Sequence, residues 1–252
     1  MDSVENPSQF GILFDLDGTI VDSMPLLKED FKTTASMMGI DIDPEMQKRI
    51  GKDLRMIMSG RPSKFLELKI IWRIGRILPI SLWKRILLVL TSYQKLKRTA
   101  NQAPPVNGAV QAIELLRRQP NVKLGLVTSR SRKDTIRKLR TLGLLDSFSA
   151  IVARDDVQSL KPSSEQIRVA ASMLGLQTKH CVLIGDMPTD VDAAKNIGAL
   201  SVAVATGIFP DEVKSRNPDF VIDSVADLPE VLPEILKKMP TLGSDGVRIK
   251  AL

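Results

Sequence analysis

The chain has 252 residues, 43% of them hydrophobic, enough to bury a sizeable core and too apolar for global disorder. Its formal net charge is +7, and where that charge sits matters more than its size. One cysteine and one histidine exclude an intrachain disulfide and argue against a zinc site or a Ser-His or Cys-His catalytic pair.

The first residues, Met1 to Asn6, carry neither a basic region nor an apolar core, so no secretory signal is expected. The longest unbroken apolar run, Ile86 to Leu90, is too short to span a membrane. With the lone cysteine, these features point to a cytoplasmic protein.

Ile12 to Phe14 reads as a short buried strand that runs into Asp15-Leu16-Asp17-Gly18. Residues i and i+2 of a strand point to the same side, so Asp15 and Asp17 face one space at its C-terminal end. Gly18 lets the chain turn sharply there. Ligands of open α/β sheets sit outside the carboxyl ends of the strands. Two close carboxylates suit divided labour, one attacking as a nucleophile and one moving a proton. The alternative is a strand that ends in an ordinary Asp-Gly turn.

Residues 24–103 read as helical throughout. Met24 to Met38 is one candidate helix, closed by Gly39, and Asp43-Pro44 opens another. Ser63 to Ile77 carries an apolar stripe at helical spacing, Pro79 breaks it, and Leu82 to Arg98 resumes. The segment holds 16 Lys and Arg against 7 Asp and Glu, so it carries the basic surplus and the remainder is slightly acidic. It also contains Trp72 and Trp83. Apolar stripes beside basic faces can lie on an anionic membrane, but they more often pack against each other. A helical bundle with both tryptophans at least partly shielded is the expectation. Few aromatics accompany the basic residues, which argues against a nucleic-acid partner.

Ala103 to Gly108 reads as a return linker. A helix over 109–118 follows, then a strand over 122–128 that ends in Thr128-Ser129. A basic helix over 133–142, a strand over 148–153 and a helix from Pro162 to Leu174 come next. The strand Cys181 to Ile184 ends in Gly185-Asp186, and a helix over 190–197 follows. Strands over 200–205 and 219–222 and a helix over 227–238 complete the pattern. Strands alternating with helices predict a parallel sheet covered on both faces. His180 and Cys181, at the start of a strand, suit structural roles. Thr128 either helps hold an anion or caps the next helix. Lys161 is either a cation for the site or a solvated surface charge, and Asp190 can cap its helix.

The run Asp15-Leu16-Asp17-Gly18-Thr19-Ile20-Val21-Asp22-Ser23 resembles the first motif of the haloacid dehalogenase superfamily of phosphatases and phosphotransferases. Thr128, Lys161-Pro162 and Gly185-Asp186-Met187-Pro188-Thr189-Asp190 resemble its second, third and fourth motifs, in the family's order. Close relatives often place Asn after the Thr, where this chain has Ser129. The resemblance implies an α/β fold, a Rossmann-like parallel sheet core with an inserted α-helical cap. The core would be residues 1–23 and 104–240, the cap 24–103, and the tail 241–252 loose. An insertion directly after the first motif is similar to the phosphoglycolate phosphatase and β-phosphoglucomutase branch.

By the same resemblance, Asp15 attacks phosphorus and Asp17 serves as acid and then base. Thr128 and Ser129 hold phosphate oxygens, and Lys161 offsets negative charge. One Asp15 oxygen, the Asp17 carbonyl and Asp186 would hold Mg²⁺, supported from behind by Asp190. A loop at Arg49-Ile50-Gly51-Lys52 is expected to face the site from the cap. The expected activity is hydrolysis of a small phosphorylated substrate, a phosphoglycolate-like monoester. A phosphosugar mutase and a non-catalytic binding protein are the alternatives. A dehalogenase is disfavoured because Asp17 is kept. Stable membrane insertion is not expected, and the oligomeric state is left open.

Overall fold

The computed structural model describes residues 9–37, 39–43, 45–46, 49–50, 72–73, 76, 80–205, 207 and 210–240. The chain divides into two compact units, Met1–Val21 with Pro105–Leu252, and Asp22–Pro104.

The first unit is built on six parallel strands. They are β1 (Phe10–Phe14), β2 (Val122–Val127), β3 (Ala150–Val152), β4 (Cys181–Gly185), β5 (Leu200–Val204) and β6 (Phe220–Ile222). Their order across the sheet is β3-β2-β1-β4-β5-β6. The chain starts at β1, winds out to β3, then returns to β4 and winds the other way. The order therefore reverses between β1 and β4, and a crevice opens there at the strands' carboxyl ends. Phe14 lies level with Leu126 on one side and Ile184 on the other, which brings the ends of β1, β2 and β4 together.

β1 is buried along its whole length, as a central strand covered on both faces requires. Ile12, Leu13 and Phe14 are each 0% exposed, and burial of each contributes about 1.5–3 kcal/mol. On one face Leu13 packs with Val127, Val152, Leu183 and, from α5 (Glu165–Leu174), Ile167, Ala170 and Leu174. Gly125 is small for a reason: a Cβ there would come within 2.6 Å of Leu13 Cδ2. The helices α3 (Ala109–Arg117), α4 (Arg132–Leu142), α6 (Pro188–Lys195) and α8 (Leu228–Lys238) complete the alternation. A short helix α7 (Pro210–Ser215) was not expected, because it buries one apolar residue, Val213, and six residues are too few to show a period.

The expected helix from Pro162 begins later, at Glu165. Residues 161–164 form a turn instead, with the Ser163 N–H donating to the Leu160 carbonyl at 3.0 Å. That turn carries Lys161 inward.

Cys181 is fully buried, and burial pushes its thiol up to about 12. A thiol held neutral and out of water is a poor nucleophile. Native protein should therefore resist a disulfide-exchange reagent, with labelling paced by unfolding; rapid stoichiometric labelling of the folded chain would contradict this burial.

The second unit pairs α1 (Met24–Met37) with α2 (Leu82–Gln102). Ala35, Ile40, Ile42, Ile50 and Leu88 form its core, and Lys95 pairs with Asp30 at 2.9 Å. Residues 45–46 and 49–50 are helical, so Arg49 stands exposed on a helix rather than in a loop, while Gly51 and Lys52 lie outside the described residues. So do most of the expected helix over 63–77 and all of the tail over 241–252. Trp72 is 40% exposed, but Trp83 is 79% exposed, against the expectation that both are shielded. The reason is angular. Trp83 precedes the buried Leu88 by five residues, about 140° around the helix, and so points away from the core. Among the described residues, no helix is long and apolar enough to cross a membrane.

Candidate active site

The loop after β1 carries the first carboxylates. The Asp15 N–H donates to the Ile184 carbonyl at 2.9 Å, which fixes Asp15 at the β1–β4 junction. Gly18 has φ of +82°, a left-handed conformation natural to glycine, and its N–H closes the loop onto the Val21 carbonyl. A Cβ on Gly18 would lie 2.2 Å from Asp186 Oδ2, so the missing side chain lets the two loops meet.

Four charged groups meet at the strand ends, all buried. Lys161 Nζ lies 2.6 Å from Asp15 Oδ1 and 2.6 Å from Asp190 Oδ1, and it also donates to the Val127 carbonyl at 3.3 Å. The Asp190 carboxylate also accepts the Met187 N–H at 2.9 Å, so it braces the start of α6 as well as Lys161. Asp15, Asp186 and Asp190 each offer a carboxylate oxygen, and these atoms lie within 4.8 Å of one another.

The electrostatics follow from that crowding. Burial pushes Asp15 up to about 7; Lys161 works against the shift, and Asp190 and Asp17 add to it. Asp186 is driven well above the usual carboxylate range by burial first, then by Asp15 and Asp190. Burial disfavours the Lys161 ammonium, but Asp15 and Asp190 outweigh it and hold the ammonium above its ordinary value.

Asp186 is the least supported member. Apart from its own N–H, its partner among the described residues is the Thr19 hydroxyl at 3.5 Å. A buried carboxylate with so little support, facing two more, fits a hard divalent cation with oxygen ligands.

Thr128 ends β2 and is 1% exposed. Its N–H donates to the Val152 carbonyl, its own carbonyl accepts from Gln166 Nε2 at 2.9 Å, and its hydroxyl oxygen accepts the Arg130 N–H at 3.1 Å. It does not cap α4; Ser131 does, accepting the Asp134 N–H. Ser129 is exposed.

Asp17 stands apart from the three clustered carboxylates. Arg130 donates to both of its oxygens, from Nε to Oδ2 and from Nη2 to Oδ1. Arg130 was not legible in the sequence, where it stands among residues that suit a solvated helix start. Gln166 was missed for a similar reason: it occupies a helix position ordinarily turned to water.

Comparison with known proteins gives the family of the chain. The profile of the family described as "Haloacid dehalogenase-like hydrolase" matches residues 12–204, most of the chain, a span that includes Asp15, Asp17, Thr128, Lys161, Asp186 and Asp190. The chain is 27% identical over 228 residues to "Pyrophosphatase PpaX" of Halalkalibacterium halodurans, covering 88% of this chain and 95% of that protein. It is 26% identical over 231 residues to "Phosphoglycolate phosphatase" of Neisseria meningitidis, covering 88% and 92%. Its fold superposes with a TM-score of 0.70 on the crystal structure of a predicted phosphoglycolate phosphatase from Haemophilus somnus, at 20% identity over 89% of this chain and 98% of that one. The chain belongs to the haloacid dehalogenase-like hydrolase family.

Proposed function

We propose that the protein is a phosphatase that hydrolyses a small phosphate ester or anhydride through a phosphorylated Asp15. The observation that carries this reading is the buried cluster of Asp15, Asp186 and Asp190 around Lys161, at the reversal point of the sheet.

Asp15 is fixed by Lys161 through one oxygen, so its carboxylate is oriented before substrate arrives. An Asp15 oxygen forms a bond to phosphorus while the bond to the leaving oxygen breaks. Asp17 gives that oxygen its proton. Asp17 then takes a proton from water, whose oxygen bonds to phosphorus as the Asp15–phosphorus link breaks, releasing inorganic phosphate. Thr128 and Ser129 hold oxygens of the transferring group, and Lys161 offsets charge on it. One Asp15 oxygen, the Asp17 carbonyl and Asp186 would hold Mg²⁺, with Asp190 behind them. The cation would supply positive charge that lets an anionic nucleophile meet an anionic phosphate.

The unit Asp22–Pro104 is the cap in this reading, with Arg49, Gly51 and Lys52 as its specificity residues. The single buried cysteine suits work in the reducing cytoplasm. Relatives named for pyrophosphate and for phosphoglycolate put both at the head of a substrate screen, with and without Mg²⁺. Turnover of one of these, lost on chelation, is expected; no turnover of any ester or anhydride would overturn the reading.

Binding of the cation should depend on pH. Asp15 keeps its proton up to about pH 7 when no cation is bound, and the proton must leave for a cation to enter. Apparent Mg²⁺ affinity should therefore rise by about tenfold between pH 6 and pH 8. Calorimetric titration at the two values checks this, and equal affinities would contradict it.

A further inference from the structure

The Arg130 fork occupies both oxygens of Asp17, the residue assigned above to proton transfer. While the fork holds, each Asp17 oxygen gives one of its acceptor positions to Arg130, and the carboxylate is aimed at the guanidinium rather than at a leaving group. The fork is well sheltered, with the Arg130 side chain 10% exposed and that of Asp17 37%. A second cation lies in the same field: Lys138 is 2% exposed, and its ammonium is pushed down by burial and by Arg130, with Asp17 working the other way. Asp134 also acts on Arg130, while accepting from the Ser131 hydroxyl and pairing with Arg137 at 3.7 Å. Arg130 and Lys138 thus place two cations in the field of Asp17.

Building on the phosphatase reading, we propose that Arg130 receives a second anionic group of the substrate, a phosphate or carboxylate within one or two bonds of the leaving oxygen, and that this group frees Asp17 from the fork. A guanidinium binds phosphate and carboxylate through the same two-point geometry it gives Asp17, so the exchange keeps Arg130 paired throughout. The substrate class follows: compact phosphoryl compounds with an anionic leaving group, in preference to esters of neutral alcohols. Asp17 becomes available when such a leaving group is in place.

The test compares wild type with Arg130→Met and Arg130→Lys. kcat/KM is measured for inorganic pyrophosphate, for phosphoglycolate and for 4-methylumbelliferyl phosphate, which has no second anion. Loss of a charge-assisted pair should lower the ratio of anionic to neutral substrate by about tenfold or more in Arg130→Met, with Arg130→Lys between the two. A readout without turnover accompanies it: inhibition by methylenediphosphonate should weaken more than inhibition by inorganic phosphate. If Arg130→Met does not fold, Arg130→Lys carries the comparison. An unchanged ratio, or equal proportional losses on all substrates, overturns the proposal while leaving the phosphatase reading intact. A wild-type protein that turns over 4-methylumbelliferyl phosphate but neither pyrophosphate nor phosphoglycolate overturns the proposal alone, and one that turns over no ester or anhydride overturns both.

Discussion

Asp15→Asn should abolish turnover, by on the order of 10⁴-fold or more, in a protein that folds as wild type. The amide has almost the shape of the carboxylate but cannot attack phosphorus. Its oxygen can still accept from Lys161, and Lys161 keeps Asp190 at 2.6 Å, so no buried charge is stranded. The substitution also removes one of three crowded carboxylates from a site where burial already disfavours ionisation. The melting temperature without added metal should therefore stay level or rise. Steady-state rates and a thermal melt decide it together. Near-wild-type activity in a well-folded Asp15→Asn protein would remove Asp15 as nucleophile, and a large drop in melting temperature would show that its charge is structural.

The second large effect belongs to Lys161. Lys161→Met keeps most of the length of the side chain and removes its charge, leaving Asp15 and Asp190 buried without their shared cation. Removing one partner from a buried ion pair costs about 3–5 kcal/mol. For a chain of this size that is a fall of roughly 6–20 °C in melting temperature. The loss should shrink in acid. As the pH falls through about 7 Asp15 takes up a proton and no longer needs a cation, so the gap between wild type and mutant should narrow from pH 8 to pH 5. Adding Asp190→Asn to Lys161→Met should recover part of the stability, because the two residues are coupled rather than additive. A gap that does not change with pH, or a double mutant whose losses simply add, would show that Lys161 stabilises by packing and not by charge.

Much of the fold was legible because α/β proteins repeat a simple alternation of strand and helix. Ile12–Phe14, Val122–Val127 and Cys181–Gly185 are short apolar runs ended by polar residues, and each became a central strand. The approach of Asp15 to Asp186 was less direct. It depends on β1 and β4 being neighbours, which the sequence order does not state and the sheet order supplies. The start of α5 was misplaced because Lys161-Pro162 resembles a helix opening, whereas the turn that aims Lys161 inward takes those residues first. Arg130 was invisible for a physical reason. Its partner is 113 residues away, and a lone arginine between serines on the way into a basic helix has the composition of a solvated surface. Trp83 misled in the opposite direction: a large aromatic residue suggests burial, but the position on α2 fixes which way it faces.

In the proposed mechanism, phosphate passes through Asp15. Rapid acid quench of the enzyme during turnover of its best substrate, followed by digestion and mass spectrometry, tests it most directly. A transient phosphoryl group is expected on the peptide that carries Asp15, labile to hydroxylamine as an acyl phosphate must be, and absent from Asp15→Asn. Sustained turnover with no phosphoryl group at Asp15 at any quench time, or with the group on another residue, would contradict it.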